Sequence, residues 1–117
     1  MLKLYGIANC DTVKKARAWL NQHNIVYEFH DFKKHGVTES MLLNWLKQLG
    51  WQKLLKKTGT TWSRELSPED QAGVKDEAST LKIMLKYHNI IKRPLLEKDG
   101  QILAAGFNVA EYENLKL

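Results

Sequence analysis

Apolar and polar positions along the chain fall into two kinds of rhythm, one of period two and one of helical period. Leu2, Leu4 and Tyr5 supply the apolar and aromatic side chains of a short strand, and Gly6 to Asn9 break that pattern. Val13, Ala16, Trp19 and Leu20 then recur at helical spacing, with Asn21 to Asn24 as a polar exit. Val26, Glu28 and His30 alternate with Tyr27, Phe29 and Asp31, the signature of a second strand. His30 and His35 are expected at an edge or in a loop, and Lys33 to Gly36 closes a β-α-β unit.

The middle third reads as wholly helical. Thr38 is an expected N-cap with Glu39 in the first turn, and Met41, Leu42, Trp45, Leu46 and Leu49 line one face of a helix that Gly50 ends. Trp51 to Lys57 is a short helical or turn-like piece, interrupted by Gly59-Thr-Thr-Trp62. Ser67-Pro68-Glu69-Asp70 starts a helix anew, with a serine cap, proline at the first position and acids in the first turn. Gly73 separates it from a longer helix that runs from Asp76 through Leu81, Met84 and Leu85, with His88 near its end.

Strand character returns at Pro94-Leu-Leu-Glu97. Asp99-Gly100 is a two-residue hairpin signal, Gln101 to Ala105 is the partner strand, and Asn108 caps a last helix carrying Val109, Tyr112 and Leu115. The order β-α-β, helices, β-β-α predicts an α/β protein with a thioredoxin-like (glutaredoxin-like) small mixed sheet and a helical insertion. Residues 1–117 form a single domain, and 38–90 are the insertion within it.

Composition narrows the classes of function. At 117 residues and 44% hydrophobic, the chain can build one core but not two independent ones. No run of 18 apolar residues is present, so no membrane helix is expected, and a first strand at Leu2 leaves no room for a signal peptide. A cytoplasmic location and no membrane partner follow as expectations. The net charge of +5 comes from dispersed lysines, with compact doublets only at Lys14–Lys15, Lys56–Lys57 and Lys92–Arg93, so no direct nucleic-acid binding is expected. The four histidines match no metal-ligand spacing, and no metal or tightly bound cofactor is expected.

One cysteine, Cys10, stands where the first strand hands over to the first helix. Unpaired amides and the helix dipole stabilise a thiolate at such a place. Asp11 opposes that effect, while Lys14, Lys15 and Arg17 support it. A single cysteine excludes an internal disulfide, so any redox cycle needs a second thiol from outside the chain. A second anchor is Ile91-Lys-Arg-Pro94, because a proline enters a sheet only at its edge or first residue. In a thioredoxin-like fold a proline there faces the catalytic turn, which makes Pro94 the candidate to face Cys10 and Arg93 the candidate to hold an anion and favour the thiolate.

Tyr5-Gly-Ile-Ala-Asn-Cys10-Asp-Thr-Val-Lys-Lys-Ala16, Gly59-Thr-Thr-Trp62, Lys92-Arg-Pro94 and Gly106-Phe107 together resemble the ArsC family, nearest its YffB or Spx/MgsR-like branch. The resemblance spans essentially the whole chain. It implies that Cys10 is the nucleophile at the start of the first helix. Arsenate reductases of the family hold their anion with three arginines, and here Arg93 matches the one before the proline. Gly106 stands where the last is expected and Lys53 to Lys57 offer none for the first, which argues against efficient arsenate reduction. Spx-type regulators often carry a CxxC switch, and here Val13 occupies its second position. A protein-binding regulatory module, with RNA polymerase as partner, is the alternative reading.

The expectation that remains is a glutathione-dependent monothiol oxidoreductase. Its Cys10 thiolate attacks a disulfide or glutathione mixed disulfide, and glutathione as co-substrate, or another external thiol, resolves the intermediate. Cys10 and Arg93 are the expected catalytic residues. Asn9, Thr12, Lys14, Arg93 and Pro94 are the expected substrate-binding residues, and glutathione and a thiol-containing protein are the expected partners.

Overall fold

The computed structural model describes all 117 residues, which divide into two compact units, Met1–Gly36 with Arg93–Leu117, and Val37–Lys92. The first unit carries the sheet. Strand β1 (Leu2–Gly6) leads into helix α1 (Asp11–Gln22), then to strand β2 (Tyr27–Asp31) and the short helix α2 (Phe32–His35). After the second unit the chain returns as β3 (Leu95–Lys98), β4 (Gln101–Ala105) and helix α7 (Val109–Leu115). The sheet order is β2-β1-β3-β4, with β1 parallel to β2 and antiparallel to β3, and β3 antiparallel to β4. This open mixed α/β sheet is the thioredoxin-like architecture.

Alternation within the strands decides which side chains reach the core. Leu4, Leu96 and Ala104 pack with Ala16 and Leu20 of α1 and Tyr112 of α7, so the apolar stripe of α1 is used as its spacing implies. Tyr5 and Leu95, opposite one another on β1 and β3, are buried as well. Each fully buried leucine of this kind contributes about 1.5–3 kcal/mol. The Asp99-Gly100 turn holds both residues at positive φ, 51° and 87°, the geometry for which Asp-Gly is suited in a hairpin.

The second unit contains α3 (Glu39–Leu49), α4 (Trp51–Leu54), α5 (Pro68–Gly73) and α6 (Glu77–Lys86). Trp45 is buried, as are Leu42, Leu46, Leu54 and Met84. Thr38 and Ser67 cap their helices, accepting from Met41 N and Asp70 N. Asp76 and Ser79 form a reciprocal capping box at α6.

Several local expectations need correction. The middle third is not wholly helical: Leu55 and Ile91 form an antiparallel bridge, with Lys56 N bonded to Ile90 O and Lys92 N to Leu54 O, both at 2.7 Å. Leu55 and Ile91, distant in the chain, are both buried, and the bridge pairs backbone groups that burial would otherwise leave unsatisfied, which no local pattern records. The interruption expected over Gly59 to Trp62 is present but shorter: Thr58 and Gly59 form a bend, with Gly59 at φ 98°, and a π-turn covers Thr61–Glu65, closed by Leu66 N to Thr61 O at 3.1 Å. His88 lies beyond α6, in a 3₁₀ turn over His88–Ile90. His30 lies on the edge strand β2, as expected, whereas His35 lies in the short helix α2 and not in a loop, because the Asp31 carboxylate accepts from Lys33 N and caps that helix. Val26 is 77% exposed and precedes β2. No helix is long and apolar enough to cross a membrane.

Candidate functional site

The site is built where β1 stops. After Gly6 the chain turns through Ile7 to Cys10, closed by Cys10 N to Ile7 O at 3.1 Å. Cys10 has extended backbone angles, φ −81° and ψ 127°, and is the N-cap of α1, its carbonyl accepting from Lys14 N at 2.9 Å. An N-cap side chain lies over the open amides of the first turn. The sulfur therefore sits above the N–H groups of Thr12 and Val13. The sulfur closes no side-chain cap hydrogen bond in this geometry, and a neutral thiol is in any case a weak acceptor.

Arg93 reaches this turn through sheet register. Leu95 of β3 is paired with Tyr5 of β1 in antiparallel sense, so the residues preceding Leu95 run alongside those following Tyr5. The Arg93–Pro94 peptide bond is cis, Pro94 is buried, and its carbonyl accepts from Gly106 N at 2.8 Å. This anchors the segment that brings the Arg93 guanidinium into hydrogen-bonding range of the Cys10 sulfur.

These neighbours set the acidity of the thiol. Partial burial pushes the Cys10 thiol up. The Val13 amide, the Arg93 hydrogen bond and charge, and the Thr12 amide together outweigh burial and hold it below the ordinary thiol value. The result is a free, partly buried cysteine with donors arranged for a thiolate. Such a sulfur is a nucleophile at lower pH than an unperturbed thiol, and a good leaving group when it is displaced.

The residues named from sequence divide into two groups. Cys10, Arg93 and Pro94 lie together in one unit. Asn9, Thr12 and Lys14 are exposed: Thr12 reaches the sulfur through its backbone amide, Lys14 closes the helical turn through its own, and the Asn9 side chain stays in solvent. The group that sequence reasoning missed is the Val13 amide. Val13 looked like core, which its side chain is, while its backbone N–H faces the sulfur. Counting three residues on from an N-cap would have found it.

No group of three or more histidines, cysteines and carboxylates converges as metal ligands. Two of the four histidines are neighbours. His30 and His35 have ring centroids 5.4 Å apart, and His30 Nε2–H donates to Gly36 O at 2.8 Å. On the same face, Tyr5 donates to Glu97, and burial followed by the charges of Glu97 and Glu28 pushes its phenol far above the usual range.

Comparison with known proteins agrees with this architecture. The ArsC family model matches residues 5–115. An uncharacterized protein of Haemophilus influenzae is 40% identical over 113 residues, covering 97% of this chain and 96% of the relative. A solved structure of a YffB protein superposes with a TM-score of 0.90 at 40% identity, covering 97% of both chains. A solution structure of an arsenate reductase (ArsC) related protein from Brucella melitensis is 45% identical, with a TM-score of 0.76 over 99% of this chain and 95% of that one. With its thioredoxin-like sheet and a single free cysteine capping the first helix, the chain belongs to the ArsC family.

Proposed function

We propose that the protein is a glutathione-dependent monothiol oxidoreductase. The observation that supports this reading best is the set of donors around one sulfur: the Val13 and Thr12 amides from the helix and the Arg93 guanidinium from beside the sheet. Each favours a negatively charged sulfur over a neutral one, both before attack and on departure.

The Cys10 thiolate attacks the glutathione sulfur of a mixed disulfide. A new Cys10–glutathione disulfide forms, the original S–S bond breaks, and the substrate leaves as a thiolate that takes a proton from water. A second glutathione, as thiolate, then attacks the glutathione sulfur on Cys10. Oxidised glutathione departs and Cys10 is released as thiolate. In sum one free glutathione thiol is oxidised to the disulfide level, the substrate sulfur is reduced to a thiol, the glutathione sulfur carried in by the mixed disulfide keeps its oxidation state, and the protein is unchanged. With one cysteine in the chain, the resolving thiol comes from solution. Arg93 also offers a planar fork to a carboxylate of glutathione. This chemistry suits the cytoplasm, where glutathione and thiol-containing proteins meet.

The test is exchange between a glutathionylated peptide and reduced glutathione, with wild type, Cys10→Ser and Arg93→Ala. The reading expects turnover by wild type, none above background with Cys10→Ser, and slowed turnover with Arg93→Ala. A wild-type rate equal to background, together with no mixed disulfide at Cys10 by mass spectrometry after exposure to oxidised glutathione, would overturn it.

A further inference from the structure

Gly6 ends β1, and its φ lies outside the left-handed region, so its backbone does not require a glycine there. What it supplies is room. A Cβ at position 6 would lie 2.7 Å from Val13 Cγ2, 3.2 Å from Cγ1 and 3.6 Å from Cβ. Carbon atoms settle at about 3.5–4.0 Å, so about 1 Å of separation would have to be found. Val13 is fully buried and cannot move into solvent. A β-branched side chain in a helix is also nearly confined to one rotamer. The adjustment therefore falls on the first turn of α1, the turn whose amides lie beneath the Cys10 sulfur.

We propose that Gly6 is a positioning residue for the Cys10 thiolate: by lacking a side chain it lets Val13 settle against β1 and so places the Val13 N–H under the sulfur. The inference rests on the reading of Cys10 as a working nucleophile, and it adds a residue that touches neither sulfur nor substrate. Hydrogen bonds weaken steeply with stretching and misalignment, so a shift of that turn withdraws a donor that favours the anion. A glycine retained only for packing would leave the thiol's acidity alone when replaced.

The experiment is the pH profile of Cys10 alkylation by iodoacetamide, a readout that needs no glutathione. Gly6→Ala is expected to raise the midpoint by about one pH unit, which leaves about tenfold less thiolate at pH values below it. Gly6→Ala/Val13→Ala, which removes the γ carbons that clash, is expected to return the midpoint to that of Val13→Ala alone. A Gly6→Ala midpoint equal to wild type overturns the inference, as does a double variant whose midpoint stays raised. Should Gly6→Ala fail to fold, the wild-type chain answers by NMR: the Val13 amide resonance is expected to titrate with the Cys10 midpoint, and an amide that does not follow the thiol overturns the proposal. A wild-type midpoint at the ordinary thiol value would remove the oxidoreductase reading itself, whereas a low midpoint that Gly6→Ala leaves in place removes only the role of Gly6.

Discussion

Helices α3 and α1 begin in the same backbone geometry but on different acceptors. Thr38 and Cys10 are both extended N-cap residues, yet the Thr38 hydroxyl accepts from Met41 N at 3.1 Å while the Cys10 thiol closes no such bond. Asp31, Ser67, Asp76 and Asn108 likewise cap their helices through oxygen. An oxygen cap contributes to folding at every neutral pH. A sulfur cap contributes little until it ionises, and the donors that remain open in the neutral form are the ones that favour ionisation. At α1 the cap position thus holds a group whose charge state can change, in exchange for a weaker helix start.

Substitution at the two caps breaks the comparison most directly. Cys10→Ser gives α1 the kind of cap that α3 has. Exchange of a glutathionylated peptide should fall to background, while urea unfolding should show a gain of about 0.5–1 kcal/mol from the new cap. A variant that keeps the exchange would remove Cys10 from the chemistry.

Arg93→Ala leaves the helix start intact and takes away the guanidinium. The alkylation midpoint should rise by about one unit, making reaction at neutral pH about tenfold slower. An unmoved midpoint would mean that the amides act alone.

Thr38→Ala makes the complementary change at α3. It should lower stability by about 1 kcal/mol in denaturant unfolding and leave the alkylation midpoint where it was, because an oxygen cap carries no part of the thiol chemistry. A shifted thiol midpoint would show that the two starts are coupled.

The smallest effect is expected at α6. The bonds from the Ser79 side chain and backbone hold the Asp76 carboxyl below its ordinary value. A depressed folded value makes its stabilisation present above the unfolded carboxylate value, roughly pH 4, and lost as pH falls through the lower folded one. The stability difference between wild type and Asp76→Asn should therefore shrink on acidification in that window. A difference independent of pH would assign the cap to geometry without charge.

Which parts of the molecule were legible follows from how local their causes are. The caps at Thr38, Ser67 and Asn108, and the Asp99-Gly100 turn, each depend on a few adjacent residues and could be read directly. The place of Cys10 at a strand-to-helix handover was legible for the same reason. The bridge between Leu55 and Ile91 was not, because it joins segments distant in the chain whose apolar residues fit helix and strand equally. The π-turn over Thr61–Glu65 depends on one shifted backbone hydrogen bond, which composition does not mark. Around the sulfur, a side-chain reading placed Arg93 beside Cys10 but passed over the Val13 amide and the space beside Gly6, since backbone donors and missing atoms leave no residue type to recognise.

The central claim is that the sulfur at the start of α1 is ionised more readily than an ordinary thiol, and the pH profile of iodoacetamide modification of Cys10 in the wild-type chain tests it most directly. The account predicts a midpoint below about 8.5, the unperturbed cysteine value. A midpoint at or above that value would contradict it.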